Sequence, residues 1–408
     1  MYESTDALEG DPRDSGDAQP VAESAESIAR RWAREHGSPL LVLDCDRIRT
    51  QYRRLAEALP GVAHHYAIKA LPHPAVVATL DAEGASFDLS SNGEIALLRE
   101  QGIAPHRIIH THPIKHPRAI QASLDFGCTT FVVDNPWEMA KLVPYRDRVQ
   151  VLLRVGFRSP DAVVDLARKY GCAPADALAL LEHGTKLGLA MRGLSFHVGS
   201  QCPSPASHVT AIVDSFQIIE GARIAGIASL EILDIGGGFP VSYRGGALGI
   251  AEFCAPIHRA LGAAPHGLRI LAEPGRYLVA PAMESIATVI GKARRGDAFW
   301  YYLDDGVYGS YSGRLFDHAE YPIFTVPARS GDRRDSVLAG PTCDSVDVIA
   351  DEIQLPELEI GDLVVGRSMG AYSAASASEF NSIPKTKILV LNCPSPAGGL
   401  PRFSLGVG

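Results

Sequence analysis

The sequence predicts an α/β fold, a closed (β/α)8 barrel followed by a β-rich domain, and three observations lead there. Short β-rich runs alternate with amphipathic helical stretches, eight such units follow one another over about 210 residues, and beyond Tyr277 the helical stretches give way to β-branched and aromatic runs. An open doubly wound sheet of eight strands is the other architecture that this alternation allows.

Taken in order, residues 1–27 are set apart as an acidic tail. To about residue 23 the tail is Asp, Glu, Ser, Gly and Pro with almost no aliphatics, which cannot bury enough surface to offset ordering and is expected to be disordered. From Ser24 a helix with Ile28, Trp32 and Ala33 on one face runs to Gly37, and Pro39 leads into the apolar run Leu40 to Asp44. The barrel runs are Val62 to Ile68, Ala85 to Leu89, Arg107 to Thr111, Thr129 to Val133, Val149 to Val155, Leu194 to Val198, Leu230 to Ile235 and Leu268 to Ala272. Helical stretches such as Pro74 to Leu80, Gly93 to Glu100 and His208 to Ala225 lie between them. The later runs are Met283 to Val289, Phe299 to Leu303, Ile323 to Val326, Leu363 to Val365 and Lys387 to Leu391, punctuated by Gly and Pro. The expected organisation is therefore a barrel over 45–276 and a β domain made of 38–44 plus 277–408.

Composition narrows the function. The 408 residues are 46% hydrophobic and 21% charged, with 38 Lys and Arg against 47 Asp and Glu and no basic run, which argues against nucleic acid or anionic membrane as a partner. No apolar stretch approaches the roughly 20 residues that cross a bilayer. The first 28 residues hold eight acids and one Arg, unlike a signal peptide, so a cytoplasmic location is expected. Seven scattered cysteines without a CxxC spacing give neither a disulfide framework nor a zinc cluster.

In such a barrel the active site is built from the C-terminal ends of the strands. Lys69 ends the first run, where desolvation is expected to lower its pKa, as a Schiff-base amine requires; a snorkelling or ion-paired lysine is the plainer reading. Arg154 ends the fifth run, and His197 and Ser200 end the sixth. Gly236, Gly237 and Gly238 follow the seventh, and Glu273, Pro274, Gly275 and Arg276 follow the eighth. Glycines let backbone amides approach a phosphate and Arg276 adds a planar cation, although three glycines can also make only a tight turn. A lysine, a phosphate cradle, a flat imidazole and a carboxylate in one barrel mouth describe a pyridoxal 5′-phosphate site, with Glu273 keeping the pyridine nitrogen protonated.

The runs Tyr66-Ala67-Ile68-Lys69, Phe87-Asp88 with Gly93-Glu94-Ile95, Ser195 to Ser200, Asp234 to Pro240 and Glu273 to Tyr277 resemble the fold-type III pyridoxal phosphate decarboxylases. Asp305 to Ser310, Phe316-Asp317-His318, Gly340 to Ser345, Gly370-Ala371-Tyr372 and Phe380-Asn381 continue the resemblance, which spans about residues 38 to 395. The pattern is most similar to the ornithine-type members. Two carboxylates, Asp317 and Asp344, suit a substrate whose far end is an ammonium, and repel the carboxylate end of diaminopimelate.

The resemblance implies that Lys69 bonds the cofactor, that His197 stacks on its ring, and that Ser200, the glycines, Arg276 and Tyr372 hold its phosphate. It further implies that Phe316, Asp317 and Asp344 line the substrate pocket. Cys343 would reach in from a partner subunit as the acid that reprotonates Cα, which makes a homodimer the functional unit. Ala70-Leu71 after the lysine and Asn92-Gly93-Glu94 depart from the usual pattern without removing a catalytic group. The function expected is decarboxylation of ornithine, then lysine. The alternatives are a modified diamino acid of a natural-product or siderophore pathway, a racemase on the same barrel, and a non-catalytic regulator of the same ancestry.

Overall fold

The computed structural model describes residues 25–394 other than 159–165, 228–229, 244–247 and 329–330. Eight parallel strands close into a barrel in sequence order: β2 Ala63–Ala67, β3 Ser86–Leu89, β4 Ile108–His110, β5 Thr130–Val133, β6 Gln150–Val155, β7 Ala190–Phe196, β8 Ile232–Asp234 and β9 Arg269–Ala272. Ala63 of β2 pairs with Leu271 of β9, which closes the ring and removes every edge. The open doubly wound sheet is thereby excluded.

Alternation along the strands decides which residues fill the barrel. Ile109, Val132, Leu152, Ile232 and Leu271, from five strands, pack together with Ala63 as one cluster. Their neighbours in sequence, such as Phe131, Val133, Leu153 and Leu233, face outward into the larger core shared with the helices. The helices start where the sequence supplies caps. Ser91 accepts from the Glu94 amide at 3.3 Å while Glu94 accepts from the Ser90 amide at 2.5 Å, a reciprocal arrangement that also fixes the Glu94 side chain.

The second domain is built on a long strand, β10 Met283–Arg295. It pairs antiparallel with β11 Ala298–Leu303, with β15 Leu363–Gly366 and with β1 Leu40–Asp44. β12 Ile323–Val326 adds to β15, β13 Arg334–Ala339 and β14 Val348–Leu355 extend the β11 side, and β16 Lys387–Leu391 runs parallel to β1. The early segment Leu40–Asp44 thus belongs to this sheet, and helix α2 Cys45–Ala58 leads from it into the barrel.

The sequence reading contains neither β13 nor β14. Each carries an adjacent pair of exposed charges, Arg334-Asp335 and Asp351-Glu352, which leaves only a short apolar stretch in either strand. The expected tail lies outside the described residues except for 25–27, which are already helical in α1 Ala25–His36. Among the described residues, no helix is long and apolar enough to cross a membrane.

Candidate active site

Lys69 lies in a short 3-10 turn, Ile68–Ala70, directly after β2. Its Nζ is 3.5 Å from Oδ2 of Asp88 on β3, a carboxylate that is fully withdrawn from water and also accepts from Thr111 Oγ1 at 2.5 Å. Burial, followed by the charge of Glu273, pushes Asp88 up to about 7, and Lys69 pulls it back. Desolvation pulls the Lys69 amine down, but Asp88, Tyr372 and Glu273 outweigh it, and the amine ends above its ordinary value. The lowered lysine pKa that the sequence suggested is therefore corrected: a strand-end lysine takes its pKa from the carboxylates around it as well as from burial.

The strands on the other side of β2, β9 and then β8, carry more buried acid. Glu273, directly after β9, and Asp234, the last residue of β8, hydrogen-bond through their carboxyls. Burial raises both, Glu273 well above its usual range, and Asp234 pushes Glu273 further by its charge. Glu94 is raised to about 7, again chiefly by burial. Arg154, buried at the end of β6 with its guanidinium 5.5 Å from the centre of the Tyr170 ring, supplies a counter-charge. His197 follows β7, and its Nδ1 accepts the Gly199 amide at 3.0 Å. Burial, then Arg154 and Lys69, hold it well below its ordinary pKa, so the ring is a neutral imidazole with its proton on Nε2.

The glycine loop after β8 is shaped by close approach. Gly236 and Gly238 have φ of 66° and 101°, in the left-handed region. A Cβ on Gly236 would strike the Phe196 carbonyl, and one on Gly237 would come within 2.7 Å of the Glu273 carbonyl. His208, stacked on Phe239 at 5.5 Å, holds the loop through a 2.9 Å hydrogen bond to the Gly237 carbonyl.

Beside the loop, Arg276 donates to Ser200 Oγ at 3.0 and 3.3 Å and to the Tyr243 hydroxyl at 3.1 Å, and it ion-pairs with Asp317. Its guanidinium lies 4.9 Å from the centre of the Tyr372 ring. Tyr372 has φ of 53°, a costly conformation for a bulky residue, and its amide is held by the Ala70 carbonyl at 3.0 Å. The Pro274 carbonyl accepts from Ala67 N at 3.1 Å, and Gly275 packs on Ala67 and Ala70, so the loop carrying Glu273 and Arg276 is tied to the turn carrying Lys69.

The remaining expected residues lie apart from this cluster. Cys343 is exposed and receives a hydrogen bond from Asn381 at 3.3 Å. Asp344 accepts from the Tyr308 hydroxyl at 2.5 Å, and Tyr308 stacks on Phe380 at 4.3 Å. Phe316 is 69% exposed. Among the described residues, no hydrogen bond of Cys343 or Asp344 leaves the β domain. Sequence reasoning did not include Asp88, Glu94, Asp234, Tyr243 or Tyr308 among the site residues. Asp88 and Asp234 could have been found by the rule that found Lys69, since each is a charged residue near the end of a barrel run.

These groups fit pyridoxal 5′-phosphate. There is an amine on the mouth, a carboxyl that burial keeps protonated, and a neutral flat ring. Beyond them is a glycine loop with no room for a Cβ, beside a guanidinium and a hydroxyl.

The family model described as "Pyridoxal-dependent decarboxylase, pyridoxal binding domain" matches residues 45–280. A lysine/ornithine decarboxylase of Selenomonas ruminantium is 36% identical over 361 residues, 88% of this chain and 90% of that one. The ornithine decarboxylase of Mus musculus is 34% identical over 366 residues, covering 85% of this chain and 79% of that one. Among solved structures, the lysine/ornithine decarboxylase of Vibrio vulnificus complexed with putrescine is 48% identical with a TM-score of 0.86, covering 90% of this chain and 99% of that one. The same Vibrio enzyme is also solved with cadaverine. With the barrel, the site and these relatives in agreement, the chain belongs to the pyridoxal-dependent decarboxylases and uses pyridoxal 5′-phosphate as its cofactor.

Proposed function

We propose that the protein decarboxylates L-lysine and L-ornithine, releasing carbon dioxide with cadaverine or putrescine, from active sites shared between two copies of the chain. The observation that carries this reading is the convergence of Lys69, Glu273 and Arg276 on one barrel mouth, while Cys343 and Asp344 keep to the β domain. The diamines held by the Vibrio neighbour are the products expected of these two substrates.

Bound pyridoxal phosphate supplies an electron sink for the pair released when a bond at Cα breaks. In the proposed mechanism Lys69 would hold the cofactor. Glu273, held protonated by burial and by Asp234, keeps a proton at the pyridine nitrogen. His197, neutral, covers one ring face, and Arg154 balances the buried acids beside it. Ser200, the loop Gly236 to Gly238, Arg276 and Tyr372 hold the phosphate, with Pro274 and Gly275 fixing that loop to the Lys69 turn. Phe316, Asp317 and Asp344 line the pocket for the substrate's distal ammonium, and Cys343 of a second copy delivers the proton to Cα.

Homodimerisation follows from this division of labour. A cytoplasmic location is part of the same reading, supported by an acidic chain whose seven cysteines are all free. Turnover of lysine in D2O tests the proposal. The expected product is cadaverine with one deuterium on the former Cα. Deuterium appearing only in recovered lysine, with no diamine, would make the protein a racemase.

A further inference from the structure

Cys45 and Cys393 lie 348 positions apart in sequence yet meet at one corner of the β domain, remote from Lys69. β1 and β16 run parallel and in register from Leu40–Lys387 to Asp44–Leu391, so the chain leaves both strands at the same level. Asn392 then adopts φ of 56° and donates to Asp44 Oδ1 at 2.9 Å, which turns the chain back over the start of α2. Cys45, fully buried, is the first residue of that helix, and its thiol lies beside the exposed thiol of Cys393.

The two sulfurs are chemically unequal. Cys393 faces the N-terminus of a fourteen-residue helix, where partial positive charge favours an anion. The neighbouring Cys45 thiol, aided by the charge of Arg49 one turn on, lowers the Cys393 thiol to about 7, while the same contact and burial push Cys45 up. By contrast, Cys128, Cys172 and Cys254 are buried with thiols raised to about 12, as inert core cysteines should be.

We propose that Cys45 and Cys393 are a thiol pair that hydroperoxides convert to a disulfide, fastening the chain beyond β16 to the joint between the β domain and the barrel. The Cys393 thiolate attacks the terminal oxygen of hydrogen peroxide, forming an S–O bond as the O–O bond breaks, and the departing hydroxide takes a proton to become water. Cys45 then attacks the Cys393 sulfur, forming the S–S bond as the S–O bond breaks. With the Cys45 proton, the second oxygen leaves as water. Two electrons from the two thiols reduce one peroxide.

The test is stoichiometric hydrogen peroxide on the full-length protein at pH 7.5, followed by alkylation and non-reduced peptide mapping. A linked Cys45–Cys393 peptide is expected, together with a melting midpoint raised by roughly 3–8 °C that returns on adding dithiothreitol. Cys393→Ser should abolish both changes, and Cys45→Ala should let Cys393 proceed, with a second equivalent of peroxide, to the sulfinic acid. Sulfinic acid on Cys393 of the unmutated protein, with Cys45 alkylated, would overturn the proposal. So would peroxide consumption confined to Cys343.

Discussion

Glu273 and Asp234, at the ends of adjacent barrel strands, share a hydrogen bond between their carboxyls. Two carboxylates cannot make that bond unless a proton lies between them, so the pair keeps one at neutral pH. In the proposed mechanism this proton would serve the cofactor's pyridine nitrogen. Replacing Glu273 by Ala leaves a neutral floor with no acid to aim, and kcat for decarboxylation should fall on the order of 100-fold. Steady-state kinetics with saturating cofactor check this, and a loss below threefold would remove Glu273 from the mechanism.

Arg276 makes the largest set of polar contacts at the expected phosphate end, reaching Ser200, Tyr243 and Asp317 while lying over Tyr372. Arg276→Ala should weaken pyridoxal phosphate binding by roughly 100-fold or more, since a buried charged contact is lost and Asp317 is left unpaired. Fluorescence titration of the apoprotein measures this directly. Arg276→Lys should recover only part of the affinity, because an ammonium cannot reproduce the planar fork.

Glu94 gives the stability profile a definite sign. Burial raises its folded pKa to about 7, above the unfolded value. Below about pH 4 that contribution is fully present, and it fades as pH climbs to about 7, because the native state binds the extra proton. Glu94→Gln keeps the acceptor for the Ser90 amide and deletes the titration. The unmutated apoprotein should therefore lose stability between pH 5 and 8 more steeply than the variant, by on the order of 2 kcal/mol. Parallel curves from differential scanning calorimetry would contradict the assignment.

Shared sites predict complementation. Lys69→Ala and Cys343→Ala chains should each be nearly inactive. Mixed one to one under subunit exchange, they should recover about one quarter of normal activity, since half the dimers are mixed and each mixed dimer has one intact site. No recovery, with exchange verified, would place Cys343 and Lys69 of the same chain in one site.

Much of this was legible in the sequence because a barrel writes its site at regular places. Each strand is a short apolar run, and the polar residues at or just beyond its end face the mouth, which is how Lys69, Arg154, His197 and Glu273 came forward. Two kinds of information were missing. The pKa of Lys69 depends on Asp88 and Glu273, which come near only when β2 pairs with β3 on one side and closes on β9 on the other. β13 and β14 each carry an adjacent pair of exposed charges and are recognised as strands only by their pairing. Tyr243 could not be read at all: its hydroxyl matters because Arg276, from a distant loop, comes to it.

The most direct measurement is carbon dioxide release by the cofactor-loaded protein from L-lysine, L-ornithine, L-arginine and meso-diaminopimelate in parallel, with Lys69→Ala as the blank. Turnover of lysine and ornithine, with little from the other two, is the predicted result. A protein that binds pyridoxal phosphate yet turns over none of the four, or that prefers diaminopimelate, would contradict the account.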